Sequence, residues 1–165
     1  MPWFHWTQHT RGSWMPDRDL GYFDRGKGLR PADPVRASLY RRQMTDSGSF
    51  LTPEAQRVVI EAVLEACRHR GWRCGGIGSD AHHTHSAIGV PMEVERGVIR
   101  RCLKRNASIR LNQRFGTQDW WTDGGDVKRI RDRKHLTHLR ETYFPKHDGW
   151  YWHPVTGWRP PLRSR

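Results

Sequence analysis

Residues 52–71 constrain the fold more than any other stretch of this chain, because both ends of a helix are written into them. Thr52 suits the N-cap, Pro53 suits the first helical position, and Gly71 suits the C-cap. Between them Val59, Ile60, Val63, Leu64 and Cys67 fall on one apolar stripe, so this helix must cover something. Two extended segments follow at once. Residues 72–79 form a weak strand, diluted by Gly75, Gly76 and Gly78, and residues 82–90 form a better one that Pro91 ends. A second helix is expected from Val94 to Phe115, apolar through Val94, Val98, Ile99, Cys102, Leu103 and Ile109. Residues 3–10 read as an opening strand and Val127–Ile130 as a short late one. A third helix is expected to start after Asp132 and run to Tyr143, where Pro145 stops it. Residues 12–48 read as a long irregular loop with a short helix near 35–43, and 148–165 as a Trp/Pro/Arg-rich tail without a trusted period. The order β, loop, α, β, β, α, β, α predicts one α+β domain over 1–165, a ferredoxin-like antiparallel sheet with helices packed on it.

The charge pattern narrows the partner. The 165 residues carry a formal net charge of +12 and a pI near 10.6, a balance that suits a polyanion, with nucleic acid as the first candidate. Arg100, Arg101, Lys104 and Arg105 make the outer faces of the second helix basic, and Lys128 and Arg129 add charge on the late strand. Trp120 and Trp121, with Trp150 and Trp152, lie among basic residues and are candidates for stacking on unpaired bases. Cys67, Cys74 and Cys102 form no Cys-x-x-Cys pair and fit reduced thiols in a cytoplasmic, nucleoid-associated protein. The first residues lack a signal-peptide core, and no apolar run is long enough to span a bilayer.

His83-Thr84-His85 is the sharpest chemical feature. On a strand, alternate side chains face the same way, so the two imidazoles would share a face with small Ala87 and Gly89 beside them, room for a metal and a substrate. Tyr143, on the last helix, could reach that face, although Leu136 and Leu139 on its helical side also suit a packing role. A phenol titrates near 10 and attacks phosphorus only with help from a metal, a base or a positive field, which the arginines and lysines of 100–140 could supply. His147 is a candidate third ligand, with Pro145 interrupting the helical spacing from Tyr143. The carboxylates, Asp80 and Glu93 among them, show no paired arrangement, and Gly75-Gly76-Ile77-Gly78 lacks the ending of a phosphate loop.

These residues, taken in order, resemble the IS200-like (IS200/IS605 type, REP-associated) single-tyrosine HUH transposases. The resemblance runs over roughly residues 3–147. After the opening strand it takes in Gly12-Ser13-Trp14-Met15-Pro16, Leu51-Thr52-Pro53-Glu54, Arg70-Gly71-Trp72 and the histidine strand ending in Gly89-Val90-Pro91. It continues through Leu111-Asn112-Gln113-Arg114-Phe115-Gly116 and Trp120-Trp121-Thr122-Asp123-Gly124-Gly125 to the helix of Tyr143.

The resemblance implies an HUH nuclease fold and a homodimer. It implies Mg²⁺- or Mn²⁺-dependent cleavage and strand transfer on single-stranded or hairpin DNA. Tyr143 would form a 5′-phosphotyrosine link, and His83 and His85 would hold the metal. Three positions depart from the family's pattern: Thr84 stands where a hydrophobic residue is usual, Ala81-His82 replace the usual pair before the motif, and Pro145 interrupts the tyrosine helix. His147 stands where the family often has Gln or Asn. Two other readings stay open on the sequence: a catalytically inactive, domesticated protein that binds hairpin DNA or RNA, and a structural metal protein.

Overall fold

The computed structural model describes residues 1–13, 15–17, 19, 21–24, 26–43 and 48–161. Trp14 and parts of the expected loop and tail (44–47 and 162–165) lie outside the described residues. The strands are β1 (Trp3–His9), β2 (Tyr22–Asp24), β3 (Gly28–Arg30), β4 (Arg73–Ser79), β5 (His83–Gly89), β6 (Asp126–Arg129), β7 (Tyr151–His153) and β8 (Gly157–Arg159). The helices are α1 (Pro34–Gln43), α2 (Pro53–Arg70), α3 (Arg96–Phe115) and α4 (Arg133–His138). The main sheet has six strands in the order β6-β1-β5-β4-β7-β8, antiparallel throughout. Its neighbouring strands β6, β1, β5 and β4 are fourth, first, third and second of these four along the chain, which is the ferredoxin-like arrangement. Among the described residues no helix is long and apolar enough to cross a membrane.

Cross-strand partners share a face of the sheet, so the register divides its side chains into two sets. Phe4 pairs with Ile88 and Trp6 with Ser86 and Val127, and this face is covered by α2 and α3. Trp6, Ile60, Val63, Ile77, Ile88, Ile99 and Leu103 are fully buried there. The α2 signals work as expected: Thr52 accepts from the Ala55 amide at 3.2 Å, and Gly71 takes a left-handed φ of 64°. Thr84 is also on this face. It is fully buried, and its hydroxyl pairs with that of Ser79 at 2.8 Å, which satisfies a polar group where an apolar one was expected.

The structure corrects several expectations. The 12–48 segment holds the expected short helix as α1 but also the unexpected β2–β3 hairpin, the two packed through Arg36, which donates to Asp24, Tyr22 and Tyr40. The tail contains the β7–β8 hairpin, which extends the sheet from β4. Ile109 is 43% exposed rather than part of the α3 stripe, because α3 buries Ile99, Leu103, Ala107 and Leu111 instead. The last helix is regular only to His138. It widens into a π-turn at Leu139–Tyr143 and tightens into a 3₁₀ turn at Phe144–Lys146, which accommodates Pro145.

Candidate metal and tyrosine site

The second face of the sheet carries His5, Thr7 and His9 from β1 opposite Ala87, His85 and His83 from β5. The 139–146 turn lies directly on β4 beside them. Bare backbone makes this possible: a Cβ at Gly78 would sit 2.8 Å from the Phe144 carbonyl oxygen, and one at Gly76 would sit 3.3 Å from the Arg140 side chain. The β7–β8 hairpin holds the turn from the other side. The Tyr151 hydroxyl donates to the Arg140 carbonyl at 2.8 Å, His153 meets Glu141 at 3.2 Å, and Arg159 donates to the Pro145 carbonyl at 2.7 Å. Burial, then the Glu141 charge, pushes Tyr151 up to about 12, so its hydroxyl keeps the proton it donates.

The turn delivers Tyr143 and His147 to the histidine strand. The His83 and His85 rings lie 4.7 Å apart, each 4.7 Å from His147, and the three offer ligand atoms within 4.8 Å of one another. Tyr143 stands edge-on to His85 at 5.2 Å, to His147 at 5.4 Å and to His5 at 5.9 Å, all in one chain. It is 38% exposed and lines a cleft of about 600 Å³ together with His5, Thr7, His9, Asp126 and Lys128.

Hydrogen bonds orient all three imidazoles the same way. His83 Nδ1 and His147 Nδ1 meet the two oxygens of Asp80 at 2.9 and 3.2 Å. His85 Nδ1 meets Thr7 Oγ1 and His5 Nε2, both at 3.0 Å. A neutral imidazole that donates from Nδ1 keeps its lone pair on Nε2. The Nε2 atoms of His85 and His147 are buried with no protein partner, an orphaned pair beside His83. This donor set fits a divalent ion: three nitrogens, the tautomers of His83 and His147 fixed from behind by Asp80, and His83 and His85 lining the cleft. Burial, then His83, His147, His5 and His9, pushes His85 down to about 2, and burial with His135 and Lys128 pushes His5 down to about 4; both rings are neutral ligating or accepting groups near pH 7. Burial opposes ionisation of Asp80, but the hydrogen bonds from His147 and His83 prevail and hold its carboxyl well below the usual range. Burial, then the Asp80 charge, raises Tyr143, and Lys128 opposes them.

Among known proteins, no family model and no curated sequence matches this chain. Solved structures do. One is a REP-associated tyrosine transposase bound to a REP hairpin, with a TM-score of 0.46 and 12% identity over 83% of this chain. This chain spans 61% of that structure's length. Another is a protein of Deinococcus radiodurans R1 described as a transposase, with a TM-score of 0.49 and 10% identity, covering 89% of this chain and 92% of its own.

The other sequence candidates scatter. Lys128 pairs with His5 across the strands and so faces the cleft, with its ammonium on Asp126 at 2.8 Å. Arg129 pairs with Phe4 and faces the helices. Arg100, Arg101 and Arg105 are exposed on α3, and Lys104 donates to the Thr122 carbonyl at 2.7 Å. Because α3 covers the opposite face of the sheet, these four cations lie away from Tyr143; of the basic residues in 100–140, Lys128 is the one that acts on it. Trp120 and Trp121 are corrected too. They are 5% and 6% exposed and pack against Leu51, Val59 and Leu111, so neither offers a free ring face to a base. Trp150 already stacks on the Arg57 guanidinium at 4.9 Å, and Trp152 packs against the main core. The sequence offered Asp80 as a carboxylate without a partner, and it gave no sign of His5 and Thr7. The register of β1 against β5 was the signal that would have found the last two.

Proposed function

We propose that this protein cleaves and rejoins single-stranded DNA through a covalent link to Tyr143, with His83, His85 and His147 holding a divalent ion, Mg²⁺ or Mn²⁺ by the resemblance. One observation carries the reading: a partly exposed phenol stands edge-on to a three-imidazole cluster at the rim of one open cleft. In the proposed step Tyr143 Oη forms a bond to the scissile phosphorus and the P–O3′ bond breaks. The phenol proton passes to solvent and the departing 3′-oxygen takes one up. A later attack by a 3′-hydroxyl reverses the exchange. When bound, the ion would neutralise charge on the phosphate oxygens. Lys128, which lines the same cleft, would pair with a phosphate of the bound strand, while Asp80, Thr7 and His5 hold the imidazoles in place. Hairpin DNA is the proposed substrate and a homodimer the proposed assembly. Arg100, Arg101, Lys104, Arg105 and Arg129 would add salt-sensitive backbone contacts.

The test is covalent capture of a single-stranded hairpin oligonucleotide on a denaturing gel. Wild type forms the adduct in the presence of divalent ion, and Tyr143→Phe forms none while keeping nearly full binding. An adduct with Tyr143→Phe refutes the nucleophile. Tight binding by wild type without any adduct favours a DNA-binding module instead.

A further inference from the structure

The chemistry of the donors says which ion the cluster takes. All three ligands are imidazole nitrogens, and among the described residues no carboxylate joins them. Asp80 is the acidic residue in contact with the ligand histidines, and both its oxygens are engaged: Oδ1 accepts from the His82 and His83 amides at 2.7 and 2.9 Å as well as from His83 Nδ1, and Oδ2 accepts from His147. Of the acids on the cleft and the turn, Asp126 is paired with Lys128 and Glu141 with Arg140 and His153. Mg²⁺ demands oxygen ligands in near-ideal octahedral geometry and gives up water reluctantly. Imidazole nitrogen suits later first-row ions, whose affinity rises from Mn²⁺ through Co²⁺ and Ni²⁺ to Cu²⁺, with Zn²⁺ on the falling side. Three nitrogens with no oxygen donor among them widen that gap, because the site has nothing to replace the water that Mg²⁺ would lose.

We infer that the His83–His85–His147 centre takes an imidazole-seeking first-row ion of the Zn²⁺ or Co²⁺ class, with Mn²⁺ the weakest of that series to bind, and discriminates against Mg²⁺. The inference rests on the metal-dependent reading above and narrows its cofactor. The experiment uses the full chain stripped with a chelator and titrated calorimetrically with Zn²⁺, Co²⁺ and Mg²⁺. The visible absorption of bound Co²⁺ reports its nitrogen ligation. Zn²⁺ and Co²⁺ are expected to bind one per chain, and a large excess of Mg²⁺ to leave the Co²⁺ spectrum unchanged. His147→Ala and, separately, His83→Ala should each abolish the spectrum, and a melting curve of each variant shows that it is folded. Mg²⁺ binding as tightly as Co²⁺, or displacing it, overturns the inference and leaves the metal-dependent reading standing. Failure of every ion to bind removes both.

Discussion

Replacing Asp80 by Asn tests how the site is held together, because the change is nearly isosteric and its consequence falls on one ligand. In the native arrangement Oδ1 accepts from the His82 amide at 2.7 Å, the His83 amide at 2.9 Å and His83 Nδ1, while Oδ2 accepts from His147 Nδ1 at 3.2 Å. Asparagine keeps one acceptor oxygen. Placed at Oδ1, it preserves three contacts and turns its NH₂ toward His147 Nδ1. Two donors cannot face each other, so His147 must move its proton to Nε2, the atom needed for ligation. The opposite amide orientation sets NH₂ against two backbone N–H groups and His83, which is worse. The fold should therefore survive while one of three ligands is held in the wrong tautomer. Loss of such an orienting partner lowers metal affinity by roughly 10–100-fold, or ~1.4–2.7 kcal/mol. Calorimetric titration with Zn²⁺ measures it, beside a melting curve of the metal-free protein. In a His147→Ala background the Asp80→Asn change should cost much less, since the ligand it disables is already gone. A Zn²⁺ affinity within twofold of wild type in the single variant would refute the claim that Asp80 orients the ligands.

Gly78→Ala pushes a methyl into Phe144 and should lift the turn carrying Tyr143 and His147; an overpacking cost of ~1–3 kcal/mol, at ~2–4 °C per kcal/mol, should show as a lower melting temperature together with a weaker Zn²⁺ titration. An unchanged Zn²⁺ affinity would show that the turn does not need close approach to β4. Tyr151, raised to about 12, contributes stability that is full below the ordinary phenol value of about 10 and is lost as pH climbs toward 12. Urea melts across that window should fall more steeply for wild type than for Tyr151→Phe, and equal slopes would contradict this. Thr84→Val strands the buried Ser79 hydroxyl and should cost ~1–3 kcal/mol by urea denaturation, whereas Thr84→Val with Ser79→Ala should be close to neutral; a double variant as unstable as the single one would argue against the pair.

The parts of the fold that sequence made legible are those where a local signal and the tertiary role agree. The caps and stripe of α2 describe a helix that is buried along the side the stripe marks, and His83 and His85 share a face because they alternate on a strand. The parts it hid are those where a residue's reason lies far along the chain. Gly76 and Gly78 looked like flaws in a weak strand, yet β4 is a central strand, and its glycines are vacant because a turn about sixty-five residues later rests on them. Asp80 carries no local pattern: its partners are the adjacent His83 and the distant His147, and only the fold makes them a pair. The widening at Leu139–Tyr143 has the same origin. A regular helix read from Asp132 would give the backbone no cause to depart from its pitch, but Phe144 must seat on bare β4 while Tyr151 and Arg159 hold the Arg140 and Pro145 carbonyls. The tail without a trusted period is thus the element that fixes where the phenol and the third imidazole stand. For a chain of this kind, the site is assembled from the outer edge of the sheet inward, and the β7–β8 hairpin belongs to it as much as the histidine strand does.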